Sequence, residues 1–263
     1  MVNFVKKNIR VYQQGKGIPL TLIHGWGMNS AVFEPLTQLL SNDFSITRVD
    51  LPGHGQSEWS DKSDFDQQVD ALAEVLPDST LLGWSLGGLY AQSLVNRYPE
   101  KFNKLVLVSC NPCFVQRADW QPAVDASVFA EFSASLIDNW SATIRRFIGL
   151  QMFGVDQARS LIRQISELLV KGGAPDPQAM RFGLELLLQL DSRQELKKVN
   201  VPVMQILGQR DTLVPIKLAK QLPLINPAIR VECVARSAHA PFLSHSDLFA
   251  GLIREFVKPS STG

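Results

Sequence analysis

The sequence is poor in cysteine and histidine and has no surplus of either charge. Its 263 residues include three cysteines, Cys110, Cys113 and Cys233, an odd and scattered set that excludes a disulfide scaffold and suits reduced thiols. Cys110 and Cys113 form a C-x-x-C, but neither a second pair nor histidines at ligand spacing accompany it. The two are read as small packing residues, and no metal or cofactor is expected. Twenty-six Lys and Arg stand against 25 Asp and Glu, a net charge of +1, which excludes the general basic field of a nucleic-acid binder. The chain has no run of about 18 apolar residues for a membrane span, and its first twenty residues lack the apolar core of a secretory signal. A cytoplasmic protein without a membrane partner is expected. Internal repeats and low-complexity tracts are also lacking. What remains is ordinary globular material, 45% hydrophobic and 19% charged, of a length that one core can serve as a monomer.

Short apolar runs alternate with helical spacing through the first hundred or so residues. Leu20–His24, Phe44–Val49, Thr80–Trp84 and Leu105–Ser109 read as buried strands, and Ala31–Leu40, Phe65–Leu76 and Leu86–Tyr98 as amphipathic helices between them. Such alternation predicts an α/β fold, a mostly parallel sheet with helices on both faces. From 111 to 191 the alternation stops and four helices are expected: Val124–Asp138, Ser141–Met152, Gln157–Lys171 and Gln178–Leu190. Strands return at Pro202–Leu207 and Ile229–Val234, followed by helices Ile216–Gln221 and Asp247–Val257. The expected organisation is a core of residues 1–110 and 192–263, split in sequence by a helical cap, 111–191.

Gly83-Trp84-Ser85-Leu86-Gly87 is a G-x-S-x-G lying directly between an expected strand and an expected helix. A sharp strand-to-helix turn crowds the backbone, and glycines two before and two after the serine relieve the clash. Ser85 is therefore the candidate nucleophile. A serine hydroxyl needs a base within hydrogen-bond reach and a third group to orient that base. In a fold of this pattern the chain order is Ser, acid, His. Asp211 follows strand Pro202–Leu207 and His239 follows the last strand, whereas Asp191 and Asp247 follow no strand. Of the other histidines, His24 and His54 lie in glycine-rich turns before the serine, and His245 lies at the start of the last helix. A tetrahedral intermediate needs two N–H donors. Leu86 offers one, and Trp26 in His24-Gly25-Trp26-Gly27 the other, with its indole as a wall for the acyl pocket. The turn Asp50 to Ser57 is assigned a structural role.

HGWG, DLPGHGQS, GWSLGG, the Asp after G-x-x and AHAPF resemble the α/β-hydrolase superfamily across nearly the whole chain. Within it, LIHGWGMNSAVF, LLGWSLGGLYAQ, RRFIGLQMFG, Phe182 to Leu187 and SAHAPFLSH resemble the pimeloyl-acyl carrier protein methyl ester esterases of biotin synthesis. The resemblance implies an α/β-hydrolase fold with a cap, and a serine carboxylesterase that releases methanol. It also implies substrate contacts at Trp26, Ser85, Leu86, the stretch Phe147, Ile148, Gly149, Leu150 and Gln151, and His239. Cap arginines facing the acidic carrier protein fall on Arg146, Arg159 and Arg163; Ala142 stands where a further arginine is expected, with Arg145 nearby. Arg159 and Arg163, four apart, share one helix face. Residues 141–173 carry five basic against two acidic side chains, a net of +3, which leaves −2 for the rest of the chain. The alternatives are another small-molecule esterase or thioesterase of this fold, or a binding protein of the same fold without catalysis.

Overall fold

The computed structural model describes residues 8–138 and 140–258, with side chains described outside 136–144. Residues 1–7 and 259–263 of the expected core, and the side chain of Ala142, lie outside the described residues. The strands are β1 (Val11–Gln14), β2 (Ile18–Ile23), β3 (Phe44–Val49), β4 (Ser79–Trp84), β5 (Phe102–Val108), β6 (Val203–Gly208) and β7 (Ile229–Val234). Among the described residues they form one sheet in the order β1-β3-β2-β4-β5-β6-β7, parallel throughout except for β1 against β3. β4, STLLGW, is buried at all six positions, the unbroken apolar pattern of a central parallel strand covered on both faces.

The helices are α1 (Glu34–Leu40), α2 (Phe65–Val75), α3 (Leu86–Arg97), α4 (Ala126–Asp138), α5 (Trp140–Gln151), α6 (Ala158–Gly172), α7 (Pro177–Gln189), α8 (Arg193–Lys198), α9 (Leu222–Ile225), α10 (Pro241–Ser244) and α11 (Ser246–Val257). α3 packs on β4 and β5 and gathers α2 and α8 beside it, while α1, α10 and α11 pack with one another. Local chemistry starts several of these helices. Asp64 and Gln67 close a reciprocal capping box on α2, and Asp176 accepts from Gln178 N–H ahead of Pro177 at the first turn of α7.

Several elements depart from the sequence expectation: the short helices α8 and α10 were not expected, and three further differences have a local cause. The span Ala31–Leu40 divides into a 3₁₀ turn, Ser30–Phe33, and α1, because Pro35 has no N–H to continue a single helix. Ile216–Lys220 is likewise a 3₁₀ turn, and Pro223 starts α9 anew. β1, VYQQ, is half-buried and has no apolar run to announce it, since it exists only as an antiparallel edge on β3.

Four helices, α4 to α7, stand between β5 and α8. The segment is tied down at several points. Cys113 bridges Asp191 where the chain leaves and re-enters the core, Asn29 Nδ2 donates to Leu169 O and Gly173 O at 3.2 and 3.3 Å, and Lys171 pairs with Glu34 at 2.8 Å. Cys110 and Cys113 are buried and unbridged, and burial pushes the Cys110 thiol up to about 12.

The loop after β3 folds around buried polar groups. Asp50 accepts from Ser30 N–H at 2.7 Å and Gln56 N–H at 3.0 Å. His24 Nε2 accepts from Leu51 N–H at 3.0 Å, so its proton sits on Nδ1, which donates to Gly25 O at 2.8 Å. His54 lies 5.3 Å away, ring to ring, and donates from Nδ1 to Pro52 O at 3.0 Å. Burial depresses both imidazoles, and the neighbouring His24 helps to bring His54 down to about 3. The unfolded chain protonates each near the ordinary histidine value, whereas the folded chain keeps both neutral. Their contribution is thus complete above pH ~6.5 and is lost as pH falls below it, at His54 down to about pH 3. Between pH ~6.5 and ~5 the unfolding free energy from urea melts should drop by about 2 kcal/mol on account of His54, and His54→Gln should remove that share of the slope. An unchanged slope would contradict this account.

Candidate active site

β4 ends at Trp84 and α3 begins at Leu86, so Ser85 alone turns the chain, at φ 54° and ψ −122°. An L-residue held there stores roughly 1–3 kcal/mol of strain, which persists only where the surroundings over-determine it. They do so here. Ser85 N–H donates to Val108 O at 2.9 Å, and Gly88 N–H returns to Ser85 O at 2.9 Å. A Cβ on Gly83 would lie 2.6 Å from Gly88 Cα, and one on Gly87 would collide with the carbonyl oxygens of Ile23 and His24. The two outer glycines of G-x-S-x-G are thus the close contacts that let α3 start one residue past the strand.

The loop after β2 lies against this turn, since a Cβ on Gly25 would stand 3.1 Å from Ser85 Cβ. Asp211, past β6, accepts from Leu213 N–H and Val214 N–H at 2.8 and 2.9 Å through Oδ1. Its Oδ2 lies 2.8 Å from His239 Nδ1, and both side chains are buried. The carboxylate can only accept, so the imidazole proton is on Nδ1 and the lone pair on Nε2. That Nε2 is buried with no hydrogen-bond partner among the described residues. The acid and histidine loops are laced together by Gln209 N–H to Val234 O and Arg210 N–H to Ser237 O, at 3.0 and 2.7 Å. Trp84, the residue before Ser85, donates from its indole to His239 O at 2.8 Å with the two rings 5.7 Å apart. From the other side, His239 N–H donates to Gln151 O at the end of α5 at 3.1 Å.

Above Ser85 is a cavity of about 90 Å³, walled mainly by apolar side chains. Trp26, Phe147 and Leu150, singled out in the sequence, line it together with Ser85. Phe114, Phe129, Phe132, Leu184, Leu187 and Leu213 complete much of the wall. These six were not anticipated; the three-residue spacing of Phe129 and Phe132 on α4 and of Leu184 and Leu187 on α7 was a signal for four of them, and Phe114 and Leu213 had none. The stretch 147–151 does not face the cavity as a unit. Phe147 and Leu150, three apart, share the lining face, whereas Ile148 and Gln151, also three apart, turn away into the buried interior; Gly149 is half-buried. Leu86 and His239 are buried outside the lining set. Arg145, Arg146, Arg159 and Arg163 are exposed; Arg146 stands on the cavity rim with Glu131, and Arg163 lies 3.7 Å from Glu167 one turn on. No helix among the described residues is long and apolar enough to cross a membrane.

The arrangement has counterparts among known proteins. The model of the alpha/beta hydrolase family matches residues 22–252. A pimeloyl-[acyl-carrier protein] methyl ester esterase of Aliivibrio salmonicida is 36% identical, with 94% of each chain covered. One of Xylella fastidiosa is 37% identical over 92% of this chain and 96% of its own. Among solved structures, an esterase from Exiguobacterium antarcticum superposes with a TM-score of 0.87 at 24% identity, covering 95% of this chain and 96% of the other. A bromoperoxidase from Bacillus anthracis gives 0.85 at 22%, covering 95% of each, and at such identities the likeness speaks for the fold alone. The seven-stranded sheet, the family match and the curated relatives agree: the chain belongs to the alpha/beta hydrolase family and, within it, to the carboxylic ester hydrolases that those relatives represent.

Proposed function

We propose that the chain hydrolyses the methyl ester of pimeloyl-acyl carrier protein through a covalent intermediate on Ser85, releasing methanol, and that residues 111–191 act as its cap. The observation that carries this reading is the buried pair of Asp211 and His239, 2.8 Å apart, with Nε2 left as an open acceptor in the neighbourhood of Ser85. His239 Nε2 takes the proton of Ser85 Oγ as that oxygen attacks the ester carbonyl. The carbonyl π electrons move to the oxygen, which Leu86 N–H and Trp26 N–H hold. Collapse of the intermediate breaks the bond to methoxide, and methoxide leaves as methanol with the proton from His239. Water then gives a proton to His239 and attacks the acyl-enzyme, and Ser85 departs with that proton. The carrier-bound acid loses its own proton to solvent. Throughout, Asp211 keeps the imidazole in one tautomer and stabilises its charged form.

The substrate side is consistent with this chemistry. An apolar cavity suits a methylene chain ending in a neutral ester, and no charged side chain of its wall other than Glu131 and Arg146 competes for the chain. The curated relatives carry the substrate in their names. Exposed Arg159 and Arg163 on α6, with Arg145 and Arg146 on α5, offer guanidinium groups to an acidic carrier protein or to the phosphate of its prosthetic arm.

Expression of the wild-type chain should restore growth without biotin to a strain lacking its own esterase of this kind, and Ser85→Ala should not; absence of rescue by the wild type would sink the substrate assignment. In purified enzyme, Asp211→Asn should cut kcat by about 10³–10⁴ with little change in KM, because the histidine then favours the wrong tautomer. Charge reversal of Arg159 and Arg163 together should raise KM for the carrier-bound ester about tenfold or more and leave a free small ester almost untouched. Equal losses on both substrates would place those arginines in folding instead.

A further inference from the structure

Trp26 and Gly27, the latter at φ 69°, are the central residues of a turn that Met28 N–H closes on Gly25 O at 3.3 Å, and the turn as a unit takes its place from what the indole packs against. The Trp26 side chain does the holding. The indole Nε1–H donates to Met180 O on α7 at 2.8 Å, and the ring meets Phe147 and Phe132 edge to face at 4.9 and 5.7 Å. Gly183, nearly one turn further along α7, completes the seat. A Cβ there would lie 2.7 Å from Trp26 Cδ1 and 3.2 Å from Leu86 Cδ2. Glycine inside a helix costs about 1 kcal/mol relative to alanine, so helix stability does not account for this residue, whereas the close approach does.

We infer that Gly183 is a positioning residue: by letting α7 close onto Trp26 and Leu86 together, it aims the N–H groups assigned above to the oxyanion, and this inference rests on that assignment. The indole is held from several sides and cannot yield to an added methyl group without moving as a whole. It then displaces the turn it belongs to, from Gly25 to Met28, and with it the Trp26 peptide unit. α7 also contributes Leu184 and Leu187 to the cavity wall, so one helix both encloses the acyl chain and sets a donor for the transition state. Enclosure and stabilisation of developing charge are thereby joined in one element.

The test compares Gly183→Ala with Gly251→Ala, a control on α11 where a Cβ meets nothing within 4 Å, and with Ser85→Ala. Thermal midpoint, kcat and KM are measured on p-nitrophenyl acetate, whose acyl group is too short to sense the far wall, and the rate of labelling by a fluorophosphonate is followed in parallel. Gly183→Ala should lower kcat and the labelling rate together by about tenfold or more, with KM within about threefold and the midpoint little changed. Gly251→Ala should keep wild-type rates. If Ser85→Ala is inactive yet Gly183→Ala stays within about twofold of wild type, the inference is overturned and the site assignment stands. Activity surviving in Ser85→Ala removes the site assignment itself, and the inference with it. A Gly183→Ala chain that fails to fold even in the cold assigns the glycine to stability and also overturns the inference.

Discussion

The site depends on one residue turning the chain from a strand into a helix. At Ser85 the backbone has no slack: β4 must end, α3 must begin, and the helix must pass close enough to β2 that a Cβ on Gly87 would strike the carbonyls of Ile23 and His24. The parallel sheet makes this possible by placing β2 and β5 on either side of β4, so that Val108 O is at hand for Ser85 N–H. A strained turn of this kind survives because a fully buried strand and a well-packed helix pull on it from both ends. Its product is a hydroxyl facing the cavity at the head of a helix, where unbonded N–H groups and the positive end of the dipole gather.

Burial governs the electrostatics around that turn. His24 and His54 are kept neutral by it, and each uses its ring to hold the loops that frame the site rather than to move protons. His239 is as deeply buried but differs in its partner, because its Nδ1 meets the carboxylate of Asp211 where those of His24 and His54 meet main-chain carbonyls; Nε2 is open at both His239 and His54. What distinguishes the candidate base from the other two buried imidazoles is thus what Nδ1 meets. The same absence of water that keeps the first pair neutral strengthens every dipole aimed into the cavity.

The helical segment between β5 and β6 is more than a cover. α5 hands Gln151 O to the main chain of His239, α7 hands Met180 O to the indole of Trp26, and α6 is fastened to Asn29 and Glu34 at its far end. Bonds therefore run from these helices to both sides of the proposed oxyanion and base positions. Enclosing the cavity and ordering the candidate groups draw on the same contacts.

Much of this was legible in the sequence. The strands β2 to β7, the helices α2, α3 and α4 to α7, and the candidate residues Ser85, Asp211 and His239 could be read to within a few positions, because buried parallel strands and a glycine-bracketed serine each impose a local residue pattern. β1, the 3₁₀ turns and the inward turn of Ile148 and Gln151 could not, since an edge strand owes its existence to its neighbour and a helix face is chosen by what packs against it. Gly183 looked like an ordinary member of a family motif; the seat it makes for Trp26 joins residues more than 150 positions apart. The sequence by itself determined most of the elements that form and which groups are candidates for chemistry, through short-range patterns of polarity and small residues. Only the tertiary structure decided which faces line the cavity and what holds the loop after β2 in place, because those depend on long-range contacts that no local pattern encodes.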